Sequence, residues 1–112
     1  KRYKETGTIG ETTLHQIEGL GTDIIPPITN FDYVDEIVSV KDIDSINMCK
    51  RLSLEEGIFC GASSGTGAYA ALDIAKNLDE DAVVVFLVCD TGERYLSKYH
   101  NDNWLKEHDL YE

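Results

Sequence analysis

The stretch that most constrains this chain runs from Ile58 to Ala71. A short apolar run, Ile58-Phe59-Cys60, feeds the turn Gly61-Ala62-Ser63-Ser64-Gly65-Thr66-Gly67, and an alanine-rich segment follows. That order reads as an extended piece, a tight turn and then a helix. Glycines at 61, 65 and 67 let the backbone take φ > 0 and let another group approach closely. Ser63 and Ser64 can cap the helix or point a hydroxyl into a cleft. Free N–H groups at such a helix start favour an anion or a polar ring atom. A P-loop is excluded, because no Lys-Ser/Thr pair follows a glycine. A dinucleotide fingerprint is formally present as Gly65-Thr66-Gly67 with Ala70, a short pattern that arises often by chance.

The rest of the chain supplies elements around that turn. Ala82 to Val88 is an almost unbroken apolar run rich in β-branched residues. Such a run predicts a strand buried on both faces, and hence a mostly parallel sheet covered by helices. Cys89-Asp90-Thr91-Gly92 stands at its carboxyl end, where open α/β sheets bind ligands. Glu36 to Val40 predicts a second strand. Ile43, Ile46, Cys49 and Leu52 repeat at helical spacing and predict a helix from about Asp44 to Glu56, stopped by Gly57. The central turn leads into a helix through about Lys76. A polar loop spans Asn77 to Asp81, and its Asp79-Glu80-Asp81 run reads as a solvated turn, not a metal site. Arg94 to Tyr99 and the residues after Asn101 predict short helices. Gly19 and Gly21 suggest backbone that passes close to something, Pro26-Pro27 ends any regular element, and Lys1 to His15 reads as a polar loop.

Length and charge bound the function. A chain of 112 residues makes one domain, 1–112, with a modest core. The net charge of −11 argues against nucleic acid or an anionic membrane as partner. No run approaches the length of a membrane span, and no signal-peptide pattern opens the sequence. Cys49, Cys60 and Cys89 fit neither a disulfide framework nor a zinc site, so they are expected to be buried thiols of a cytoplasmic protein. His15, His100 and His108 share no spacing with a nucleophile, so no triad is expected.

Three blocks, in order, carry a resemblance. They are Ile17-Glu18-Gly19-Leu20-Gly21-Thr22-Asp23-Ile24-Ile25-Pro26, then Glu56-Gly57-Ile58-Phe59-Cys60-Gly61-Ala62-Ser63-Ser64-Gly65, then Val84 to Ser97 with Cys89-Asp90-Thr91-Gly92-Glu93-Arg94-Tyr95. Together they resemble the cysteine synthase/cystathionine β-synthase family, pyridoxal-phosphate (PLP) enzymes of fold type II. The resemblance covers most of the chain from Gln16 onward. The family usually has a proline where this chain has Cys89, which leaves the backbone path there open. Asn101-Asp102 followed by Trp104-Leu105 resembles the cystathionine β-synthase side.

The resemblance implies the following. The chain would be the C-terminal portion of the large PLP-binding domain of a tryptophan-synthase-β-like α/β fold, with no second domain. The cofactor would be pyridoxal 5'-phosphate. The reaction would be β-elimination or β-replacement on O-acetylserine, serine or cysteine, making or breaking a Cβ–S bond. Ser63 would bond the pyridine nitrogen, Gly61 and Gly65 would let the turn approach the ring, and Asp90 and Thr91 would flank the pyridine side. Gly19 and Gly21 would border the substrate. The lysine that anchors the cofactor would lie in an N-terminal part outside this chain, so residues 1–112 alone would be inactive. Partners would be the small amino-acid substrate, the remainder of the same enzyme and a second copy in a homodimer. A non-catalytic α/β regulatory module and a dinucleotide-binding domain are the competing expectations.

Overall fold

In the computed structural model of the chain, the described residues are 5–8, 15–21 and 24–111. Most of the expected Lys1–His15 loop, and Thr22 and Asp23 of the first family-like block, lie outside them. Three helices organise the rest: α1 Asp42–Glu56, α2 Ala62–Ala75 and α3 Asp102–Glu107. Short 3-10 turns stand at Phe31–Tyr33 and Gly92–Tyr95.

Each helix end has a local cause. Asp42 and Asp44 in the first turn of α1 suit the positive end of the helix dipole. Gly57 stops α1 in the left-handed region at φ 69°, and the Ile58 N–H closes on the Leu52 carbonyl at 2.9 Å. Asn101 caps α3, its side-chain oxygen accepting from the Asn103 and Trp104 amides at 3.0 and 3.2 Å. Asn30 does the same for the turn at Phe31.

Two apolar clusters form the core, and α1 contributes to both. Met48, Cys49 and Leu52 pack with Cys60 and Ala68, with Phe86 against them. Ile46 packs with Ile17, Ala62, Tyr99 and Leu105, bordered by Tyr95 and Trp104. The helices α1 and α2 cross closely at Gly65. A Cβ there would overlap the Ser45 carbonyl oxygen and stand 2.8 Å from the Cys49 amide nitrogen. Gly65 and Gly67 lie inside α2, not in a turn before it. This corrects the dinucleotide expectation, which needs its first glycines in the strand-to-helix turn. It also corrects the expected φ > 0 at 61, 65 and 67: among the described glycines only Gly7, Gly19, Gly21 and Gly57 take it.

The parallel sheet expected from Glu36–Val40 and Ala82–Val88 is not formed among the described residues. Neither segment pairs with a neighbouring strand, and the described pairing is a single antiparallel bridge between Cys60 and Thr91. Ala82–Val88 is not buried on both faces either. Phe86 packs on the core beside α2, while Val83, Val85 and Leu87 point outward at 87%, 86% and 76% exposure. A ladder needs a neighbouring strand for every N–H and C=O, and no such neighbour stands beside this segment among the described residues. The expected helix at Arg94–Tyr99 is a shorter 3-10 turn ending at Tyr95. No helix among the described residues is long and apolar enough to cross a membrane.

Candidate cofactor site

The antiparallel bridge at Cys60 and Thr91 brings the central turn beside the end of the 82–88 run. The Gly92 amide donates to the Phe59 carbonyl at 3.1 Å. Ser64, fully buried in the first turn of α2, accepts from the Cys89 amide through its Oγ at 2.9 Å. His100 fixes the same turn from behind. Its Nε2–H donates to the Cys60 carbonyl at 3.0 Å, a bond that sets the tautomer, and its ring packs on Phe59 at 4.6 Å.

These ties leave an open cleft of about 340 Å³ lined by Glu18, Gly19, Leu20, Ser63, Cys89, Asp90 and Tyr95. Three residues singled out in the sequence, Gly19, Ser63 and Asp90, meet in it. Ser63 is the second residue of α2, half-buried, and its hydroxyl has no hydrogen-bond partner among the described residues. Capping falls to the backbone: Gly61 is the N-cap, and its carbonyl accepts from the Ser64 amide at 3.1 Å. Gly61 is buried and must lack a side chain. A Cβ there would overlap the Tyr95 ring and stand 2.5 Å from Asp90 Oδ1. Gly19 carries φ 81°, a conformation that favours glycine.

The other expected site residues lie elsewhere. Gly65 faces α1, as described above, and does not line the cleft. Gly21, at φ 67°, lines a neighbouring hollow of about 470 Å³ that also holds His15, Asp42, Ser45 and Thr66. Thr91 is exposed and serves the bridge to Cys60 and the start of the 3-10 turn. Cys89 is exposed on the cleft, which corrects the expectation that all three thiols are buried. Cys49 and Cys60 are buried. Burial and the neighbouring Cys60 thiol push the Cys49 thiol up to about 12. Among the described residues no group of three or more His, Cys, Asp or Glu is placed to hold a metal ion.

The site's electrostatics centre on Asp90. Its Oδ2 accepts from the Tyr95 hydroxyl at 2.6 Å, while Oδ1 is buried with no hydrogen-bond partner among the described residues. That bond, reinforced by burial and the carboxylate charge, pushes the Tyr95 hydroxyl up to about 12, so it donates across the ordinary pH range. Tyr95 had no reading of its own in the sequence beyond its place in a family-like block. Tyr99, whose hydroxyl reaches Gln16 and Glu18, reads in the sequence only as the end of a short helix.

Residues 2–90 match the family described as "Pyridoxal-phosphate dependent enzyme". Over 88 residues the chain is 47% identical to the "Probable cysteine synthase" of Bacillus subtilis (strain 168), covering 79% of this chain and 28% of that protein. Over 96 residues it is 33% identical to the "Cystathionine beta-synthase" of Apis mellifera, covering 86% and 19%. A crystal structure of O-ureido-L-serine synthase superposes at a TM-score of 0.77 with 33% identity, over 93% of this chain and 34% of that one. The chain thus spans between a fifth and a third of the proteins it matches. The shared fold and the shared sequence agree: this chain belongs to the pyridoxal-phosphate dependent enzymes, beside the cysteine synthases and cystathionine β-synthases, and pyridoxal phosphate is its family's cofactor.

Proposed function

We propose that this chain is the part of a β-elimination/β-replacement enzyme that borders the pyridine side of the cofactor. The whole protein would act on O-acetylserine, serine or cysteine, as a homodimer in the cytoplasm, with the sheet completed by the remainder of the enzyme. One observation carries the reading. The hydroxyl of Ser63, without a hydrogen-bond partner among the described residues, the left-handed backbone at Gly19 and the side chain of Asp90 line one cleft, beside a glycine, Gly61, that admits no side chain. A polar aromatic ring fits such a place, because a half-buried hydroxyl without a protein partner gains a hydrogen bond from a ligand's polar atom.

When bound, PLP supplies the electron sink for bond breaking at the amino acid. The residues here hold and tune. Ser63 offers a neutral hydroxyl to the ring nitrogen, Gly61 lets the turn approach, Asp90 and Thr91 stand on the pyridine side, and Gly19 and Gly21 border the substrate. Gly65 serves this arrangement at a distance, by letting α2 seat on α1. A neutral hydroxyl stabilises a protonated ring less than a carboxylate would. The charge that develops at the substrate is therefore drawn less into the ring, which favours loss of the β-substituent. Residues 1–112 alone would be inactive.

The test is Ser63→Ala and Ser63→Asp in the full-length protein, with steady-state elimination and the absorbance of the bound cofactor as readouts. A neutral hydrogen bond contributes about 0.5–1.5 kcal/mol, so Ser63→Ala is expected to fold, to bind the cofactor modestly less well and to lose kcat. Ser63→Asp is expected to change the cofactor's absorbance and slow elimination. An aspartate variant that behaves like the parent would refute the ring-nitrogen role, since Asp substitutes well for a serine that merely caps a helix.

A further inference from the structure

Two tyrosines four residues apart tie separate parts of the cleft to one short segment. Tyr95 and Tyr99 pack ring against ring, centroids 4.9 Å apart. Tyr95 lines the cleft, and its hydroxyl donates to Asp90 at 2.6 Å. Tyr99 is buried to 1% exposure. Its hydroxyl donates to the Gln16 carbonyl at 2.7 Å and accepts from the Glu18 amide at 3.2 Å, across more than eighty residues of sequence. Glu18, Gly19 and Leu20 line the cleft directly after that bond. Lys98 adds an ion pair to Glu18 on the exposed side. Apolar packing would be served as well by phenylalanine, yet both hydroxyls are spent on the residues that form the cleft. Both tyrosines lie past Asp90, the last residue of the family match.

We propose that Tyr95 and Tyr99 are paired positioning residues: Tyr95 aims the Asp90 carboxylate at the bound cofactor, and Tyr99 sets the place of the Glu18–Leu20 backbone against the bound amino acid. The packed rings make the two arms one rigid brace. The raised ionisation of the Tyr95 hydroxyl keeps the first arm a donor through neutral and mildly alkaline pH. This inference rests on the PLP reading above.

The experiment uses the full-length protein and its Tyr95→Phe, Tyr99→Phe and Asp90→Asn variants. Cofactor affinity is measured by fluorescence as PLP is titrated into cofactor-free protein, and kcat and KM are measured with O-acetylserine, serine and cysteine as probes. Tyr95→Phe and Asp90→Asn are each expected to weaken PLP binding about fivefold, the factor of one ordinary hydrogen bond, and to shift the absorbance of bound PLP. Tyr99→Phe is expected to raise KM about fivefold with PLP affinity within about twofold of the parent. Amide exchange in the parent protein needs no variant: Glu18 is expected to be protected. A merely structural pair predicts lower melting temperatures with neither parameter moved on its own, and that result overturns the brace. Exchange of the Glu18 amide at an open-loop rate overturns the Tyr99 arm even if Tyr99→Phe does not fold. A parent that binds no PLP overturns the enzyme reading and the inference with it. A parent that binds PLP, with variants indistinguishable from it, overturns the inference alone.

Discussion

At the scale of single residues, two protons are held unusually tightly. Burial raises the Cys49 thiol from 9.0 to about 12, and the bond to Asp90 raises the Tyr95 hydroxyl from 10.0 to about 12. A group whose ionisation is raised in the folded state stabilises that state fully below its unfolded value and loses the effect as pH passes the folded value. Stability is therefore expected to hold up to about pH 9 and to fall between there and about pH 12. Asp90→Asn should move the tyrosine part of that fall to lower pH in an ultraviolet titration. The thiolate is the reactive form of cysteine, so alkylation near neutral pH should leave Cys49 and Cys60 unmodified until the protein unfolds. Labelling of either in the folded protein, read by mass spectrometry, would contradict the burial described here.

At the scale of elements, the crossing of α1 and α2 makes two glycines of one helix behave oppositely. Gly→Ala inside a helix ordinarily stabilises by about 0.5–1 kcal/mol. Gly67 has that freedom, because the nearest atoms to an added Cβ stand 3.8 Å away at Leu87 and Phe86. At Gly65 the added atom meets the backbone of α1 at Ser45 and Cys49, which cannot swing aside as a side-chain tip can. Gly65→Ala is therefore expected to destabilise by about 1–3 kcal/mol, and Gly67→Ala to be neutral or stabilising. Thermal or denaturant unfolding of the two variants in the full-length protein reads the sign directly. Equal effects would show that α1 and α2 do not approach at Gly65.

At the scale of the molecule, Val83, Val85 and Leu87 turn apolar side chains outward from one segment. Backbone without ladder partners exchanges its amide hydrogens readily. The 83–87 amides are expected to exchange fast in the 112-residue polypeptide and slowly in the full-length protein, where neighbouring strands would cover them. Slow exchange in the short chain would mean that it pairs this segment by itself.

The sequence by itself determined what is local. Apolar spacing and a terminal glycine give α1, and Asn101 gives the cap of α3. The Gly61–Ser64 stretch that opens α2, with the blocks at Gly19 and Asp90, carries the family, because cap chemistry and helix periodicity act over a few residues. Only the tertiary structure decided which of those residues share a cleft. It brought Gly19, Ser63 and Asp90 together, turned Gly65 toward α1 and exposed Cys89. It also recruited the hydroxyls of Tyr95 and Tyr99, which no local pattern marks as functional. The same limit explains the sheet. An apolar β-branched run fixes an extended backbone, but a ladder depends on partners distant in sequence or outside it, and those are a property of the assembled fold.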